Sequence, residues 1–293
     1  MQETKIINLN LVNQFNLFMK SRLEERGVTK GFSIDDACFQ YLNLRRRLVD
    51  PLPRKVHFSK EFHCSDNLKA GLNLVKSKIE KGEDITPHLS GKFKDLNYHD
   101  MMLNDWGVHH LHLGTKINRK TGLAKRTGPI LYVKFEREDA YFIQIMEHGE
   151  WANDEIIKIL HNNWPQILDL YLMRGVTEVK PKISNEYRAA LRKAGVSTVV
   201  EIAKGIFYMP LGGGYSSSGH GTSSVMQSMR AHNQLNRMEL YIKENFQKYE
   251  DFIREQSIYK GNKFDFILKI SDVDNKVHIT EVNSGVIFFL GHL

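Results

Sequence analysis

The sequence predicts an α+β protein with a helical N-terminal region over 1–90, a central twisted antiparallel sheet packed on a helix over 91–175, and a C-terminal α/β region over 176–293. Three observations point there. Apolar residues recur at helical spacing through the first third, and the middle third carries a hairpin of strand-like runs that leads into a helix. The last third places a long amphipathic helix before three short strand-like runs.

The first helix is expected between Leu9 and Glu25, where Leu11, Phe15, Phe18, Met19 and Leu23 keep helical spacing and Gly27 closes it. Ser33-Ile34-Asp35-Asp36 offers a capping-box start for a second helix through Cys38, Tyr41, Leu42 and Leu48, stopped by Asp50-Pro51-Leu52-Pro53. Its Arg45-Arg46-Arg47 run reads as a solvated face. A short strand over Lys55–Phe58 precedes a third helix from Asp66 to Lys81, which Gly82 ends.

Further on, Tyr98–Leu103 reads as a short helical turn before the segment Trp106–Gly114. A basic, glycine-punctuated loop follows, and then the hairpin: Pro129–Phe135, a charged turn over Glu136–Asp139, and Ala140–Met146. Glu147–Trp151 leaves the hairpin, and Asn153 can cap a helix from Asp154 to Asn163 that stops before Pro165. Ser184 can cap a helix ended by Gly195, with strands expected at Val199–Ile202 and Gly205–Pro210. A helix from Val225 to Tyr249 follows a glycine–serine loop. The closing strands Phe264–Ile270, Val277–Val282 and Gly285–Leu290 form a meander with a turn at Asp272–Asn275.

Composition narrows the function classes. The chain has 293 residues, a net charge of +7, two cysteines and 13 histidines. Such a charge permits an acidic partner such as nucleic acid. Two cysteines without a CxxC argue against a disulfide framework or a cysteine-rich zinc site, and a cytoplasmic location is expected. The first residues lack the pattern of a secretory signal, and no apolar run approaches a membrane span.

The most informative stretch is Trp106-Gly107-Val108-His109-His110-Leu111-His112-Leu113-Gly114. On a strand, His110 and His112 share one face, with His109, Leu111 and Leu113 on the other. Imidazoles exchange protons near neutrality, so such a pair suits proton transfer at a phosphate. A lone strand histidine is ordinarily structural; three in four positions mark a candidate site. By the same alternation Tyr132 and Lys134 share a face, and Gln144 shares parity with His148. Together these supply a base for a 2′-hydroxyl, an acid for the departing 5′-oxygen and a cation for the phosphorane. His110, His112 and His148 are the expected base and acid, with Lys134 stabilising charge and Tyr132 beside them. Lys116, Arg119, Lys120, Lys125 and Arg126 are expected to hold backbone phosphates.

The segment Tyr98–Trp164 resembles the small sheet-and-helix endoribonuclease toxins of the barnase, colicin and RelE-like group, some of which use a histidine pair with a lysine. The resemblance implies metal-independent RNA cleavage, a toxin or defence setting and a paired protein inhibitor. No cofactor is expected on this reading. The alternatives are a metal-dependent phosphodiesterase or hydrolase, in which His110 and His112 hold zinc or another divalent ion with His99, Asp100, Asp105 or His148, and a non-catalytic nucleic-acid or nucleotide-binding module.

The loop Leu211–Ser224 is a second candidate. Gly213, Gly214, Ser218, His220, Thr222 and Ser223 precede or open a helix, where backbone amides and the helix end can face an anion. Neither a nucleotide-binding P-loop nor a G-x-S-x-G elbow is present, and a mobile surface loop is the plainer reading. As a lid, the loop would deliver His220 to the middle-third histidines. Glu281–Gly285 reads as a structural turn, and Trp106, Trp151 and Trp164 as core or rim residues.

Overall fold

The computed structural model describes residues 5–149, 152–271 and 274–293. Glu150 and Trp151, and the Asp272-Val273 half of the expected turn, lie outside the described residues. Secondary structure mixes helices with sheets throughout, an α+β architecture. In chain order the elements are β1 (Ile6–Asn8), α1 (Leu11–Glu25), α2 (Ala37–Arg47), β2 (Lys55–Phe58), α3 (Asp66–Lys81), α4 (Met101–Trp106), β3 (His109–His112), β4 (Ile130–Phe135), β5 (Asp139–Met146), α5 (Glu155–Asn163), α6 (Asn185–Lys193), β6 (Val200–Ala203), β7 (Ile206–Tyr208), α7 (Thr222–Glu244), α8 (Phe246–Gln256), β8 (Lys263–Ile270), β9 (Lys276–Glu281) and β10 (Ile287–His292).

Two compact units form: Met1–Leu42 with Met226–Leu293, and Asn43–Val225. The division therefore differs from three successive segments, because both ends of the chain supply strands to one sheet. In this first unit the order is β1-β8-β9-β10, with β1 parallel to β8 and the expected meander antiparallel. Leu11, Phe15, Leu235, Phe246, Phe264 and Ile279 are among its core residues. The single helix expected to run to Tyr249 is two helices, since Asn245 takes a non-helical ψ of 21° at a φ of −108° and interrupts the repeat. Glu281 accepts from the Asp265 and Ser284 amides at 3.2 and 2.7 Å, consistent with a structural turn.

The second unit is built on a sheet of order β2-β5-β4-β3. The three strands expected to be antiparallel are so, and β2 joins them parallel to β5. Burial of both faces explains the nearly unbroken apolar run of β4. Ile130 and Tyr132 face a cluster with Trp106, Ile156 and Leu160, whereas Leu131 and Val133 face Leu68, Leu72, Val75 and Phe142. A β-bulge falls between Tyr132 and Val133, which pair with Gln144 and Phe142 and leave Ile143 as the extra residue.

The arginine run departs from the solvated face expected of it. Arg45 is exposed, but Arg46 donates to the carbonyls of Leu103 and Gly212 at 2.7 and 2.6 Å, and buried Arg47 donates to Asp95 O at 2.6 Å. A guanidinium with several fixed donors satisfies carbonyl groups that loops leave unpaired.

Backbone contact fixes the end of β3. A Cβ at Gly71 of α3 would overlap the carbonyl oxygen of Leu113, and one at Gly114 would overlap that of Lys125. Alanine in place of an exposed helical glycine stabilises by about 0.5–1 kcal/mol. At Gly71 the sign reverses: Gly71→Ala is expected to lower the unfolding free energy by about 1–3 kcal/mol in urea titration, the usual cost of overpacking. An unchanged or raised midpoint would show that α3 does not lie against β3 in this way.

Candidate functional site

The register of β3 builds a row of imidazoles. His110 lies opposite Tyr132 and His112 opposite Ile130, which in turn pairs with Met146 at the end of β5. His148 follows two residues later, and this brings it to His112. Ring centres are 6.5 Å apart for His110 and His112 and 6.3 Å apart for His112 and His148. His112 is thus the middle ring. The sequence argument anticipated these three residues together, and the alternation of β3 supplies the reason for two of them.

Burial sets their charge. His110 and His112 are 6% and 5% exposed, while His148 is exposed. Desolvation, reinforced by the Arg126 charge, pushes His112 down to about 3 and also lowers His110. His109 points to the other face, where it meets Phe135, and burial takes it to about 4. His88, which the sequence reading did not single out, is fully buried and donates Nδ1–H to the carbonyl of His112 at 2.8 Å. Its contact to the strand is backbone-directed, and Thr86-Pro87-His88 carries no motif that would have announced it.

The expected cation is elsewhere. Lys134 is 5% exposed, but its Nζ lies 3.2 Å from Glu136 Oε1 and 6.0 Å from the centre of the Tyr171 ring. Register places it beyond Tyr132, away from the Ile130–His112 pair. Tyr132 is fully buried at mid-sheet. Gln144 turns to the loop after β2, accepting from the His63 amide at 3.0 Å and donating to Glu61 O at 2.6 Å. Arg126 takes the position near the histidines, with Nη1 donating to Leu89 O at 3.0 Å.

The basic segment is an ordered miniature hairpin. Ile117 bridges Ala124, the Asn118 amide donates to Leu123 O, and Asn118 Oδ1 receives the amides of Lys120 and Thr121. Lys116, Arg119, Lys120, Lys125 and Arg126 are exposed, and residues 115–130 contain no acidic side chain. None of the five forms a salt bridge among the described residues.

The metal-ligand set is dispersed. His99 packs on His220, with ring centres 4.8 Å apart, and Asp105 is fully buried against Arg192 at 2.7 Å. Asp100 caps α4 by accepting from the Leu103 amide at 3.0 Å. No group of three or more His, Cys, Asp or Glu side chains arranged for a metal ion occurs among the described residues. His220 accordingly meets His99 instead of the three-ring row. The arginines opposite Asp105 had a legible signal in hindsight: Arg188 and Arg192 stand at i and i+4 on α6.

The glycine–serine loop is packed and its amides are committed. Gly212, Gly213 and Gly214 donate to the carbonyls of Asp105, Pro210 and Asn104, while Thr222 donates to Gly214 O. Ser218 Oγ meets Ser216 Oγ at 2.9 Å, and Ser223 lies in the first turn of α7. A Cβ at Gly212 would overlap the carbonyls of Leu103 and Asn104. Close approach to α4 is therefore what Gly212 permits, and the amides of Gly213, Gly214 and Thr222 are already hydrogen-bonded.

Comparison with protein families, curated proteins and solved structures finds no match to this chain. The row of histidines is consequently read from its own geometry. Beside His109 and His110 a cleft bounded by Arg47, Tyr98 and Asp100 has a volume of about 10 Å³, room for one water. β3 is the edge strand of its sheet, and His148 is exposed at the end of the row.

Depressed histidines make the fold acid-sensitive. Unfolded imidazoles protonate near 6.5, while folded His112 and His109 remain neutral to about 3 and 4. Stability is complete above about pH 6.5 and is lost as pH falls toward the folded values, by about 1.4 kcal/mol per pH unit for each such histidine. Urea titrations from pH 7.5 to 5 are expected to show this slope, shallower by about one proton in His112→Gln. A flat profile in the wild-type protein contradicts it.

Proposed function

We propose that this protein binds RNA and cleaves it without a metal, by attack of a 2′-hydroxyl on the adjacent phosphorus. The observation that carries the reading is the row His110–His112–His148, at 6.5 and 6.3 Å, beside Arg126. Two hydrogen bonds of about 2.8 Å to phosphate oxygens on opposite sides span about 6–8 Å, the separation these rings provide. Neutral His112 is the acceptor for the 2′-hydroxyl proton, the negative charge of the bound phosphate raising its basicity from the low value it has without ligand. His148, exposed at the open end, donates to the departing 5′-oxygen. Arg126 pairs with the phosphate, and the acid-free hairpin follows the backbone.

In this reading Lys134 has no direct part. An inhibitor protein, as the toxin resemblance implies, would meet the basic hairpin with an acidic surface. Cys38 and Cys64 are both free thiols, in keeping with a cytoplasmic setting, and no helix among the described residues is long and apolar enough to cross a membrane. The near-complete burial of His110 and His112 favours a second reading, an RNA-binding module without turnover.

End-labelled RNA and matching DNA, incubated with and without chelator, separate the two. Cleavage of RNA alone, resistant to chelator and leaving a 2′,3′-cyclic phosphate, is expected, with His112→Ala slowing it by about 10²–10⁴-fold and retaining its fold. Lys120→Ala is expected to weaken RNA binding and lower its salt dependence by about one phosphate contact. Salt-sensitive binding without products would establish the module, and full activity in both His112→Ala and His148→Ala would remove the site assignment.

A further inference from the structure

The second unit carries a charge imbalance around α6. Arg188 and Arg192 are 2% and 3% exposed, and their guanidinium groups lie 5.9 and 4.1 Å from the centre of the Trp106 ring. Asp105 pairs with Arg192. Arg188 instead donates Nε to Thr198 Oγ1 at 3.3 Å and Nη1 to Asn185 Oδ1 at 3.1 Å, both neutral acceptors. It forms no salt bridge among the described residues, and nearby Asp154 is itself paired with Lys158 at 3.0 Å. Desolvation and the Arg192 charge both lower Arg188 from its usual range. Asp154 and Asp105 offset this in part from a distance, and no carboxylate stands in direct contact with this guanidinium among the described residues.

Arg188 also lines a cavity of about 120 Å³, room for about four waters. Ile183, Val199 and Phe207 give it apolar walls, and Asp154, Glu201 and Lys182 add charges of both signs. That volume excludes a nucleotide. With Asp154 and Glu201 set against Lys182 and Arg188, the lining favours a single negative charge over a dianion such as phosphate, and the apolar walls suit a short hydrocarbon body.

We propose that this cavity is a binding site for a small monocarboxylate, held by the Arg188 guanidinium with its hydrocarbon part against Ile183, Val199 and Phe207. The fork of guanidinium donors matches a carboxylate, and the ligand supplies the direct ion pair that Arg188 lacks. This site is independent of the RNA reading.

Butyrate, its neutral isostere butyramide, and phosphate test it in thermal unfolding at constant ionic strength. With about 50 mM butyrate the Tm is expected to rise by about 2–4 °C, and with the other two to stay unchanged. Arg188→Met is expected to fold and to lose the butyrate shift. Ile183→Trp, which fills the cavity and keeps Arg188, is expected to lose it as well. Should Arg188→Met not fold, Ile183→Trp decides the matter. Absence of a shift in the wild-type protein, an equal shift with butyramide or phosphate, or a shift that survives in Ile183→Trp overturns the proposal.

Discussion

The site depends on how closely main chain approaches main chain at the end of β3. Gly71 lets α3 touch the Leu113 carbonyl, and Gly114 lets the Lys125 carbonyl of the basic hairpin approach the end of the strand. Any side chain at either place would push the strand from its register with β4. Since a slip of one residue turns every side chain to the opposite face, these contacts help decide whether His110 and His112 stand beside Tyr132 and Ile130 or turn toward Leu131 and Val133. The hairpin carrying Lys120 and Arg126 is held near the histidines by the same approach.

Electrostatics follows from that packing. A sheet covered on both faces withdraws the strand histidines from water, and imidazoles in that setting lose their proton before they lose their place. Charges that stay buried are engaged: Asp105 with Arg192, Lys134 with Glu136, Arg47 with backbone carbonyls. Arg126 remains exposed near these buried rings, and the proposed contact with a phosphate rests on it. The balance between neutral rings and one adjacent cation underlies the proposed division of roles between His112 and His148.

Much of the fold was legible because local chemistry and tertiary context agree. Ser33 caps the approach to α2 and Gly82 ends α3 with a φ of 70°, as their sequence signals indicate, while Asn10, inside the span expected to be helical, caps α1. The hairpin β4–β5 and the meander β8–β10 follow alternation and turn residues. The continuous helix through Asn245 was not legible as two, since no proline or glycine marks the break. The arginine run looked solvated because charge alone does not reveal carbonyls awaiting donors three loops away.

The sequence by itself determined the α+β class, the element order apart from β1 and the α7–α8 break, and the shared face of His110 and His112, because strand periodicity and turn chemistry are local properties. It also determined the basic, acid-free composition of the segment after β3, which the structure folds into a small hairpin. Tertiary structure decided which side chains meet. It brought His148 to His112 through the β4–β5 register, sent His220 to His99, placed Lys134 against Glu136 and set His88 behind the strand. These are contacts between residues far apart in the chain, and only packing and pairing energies, summed over the whole sheet, select among them.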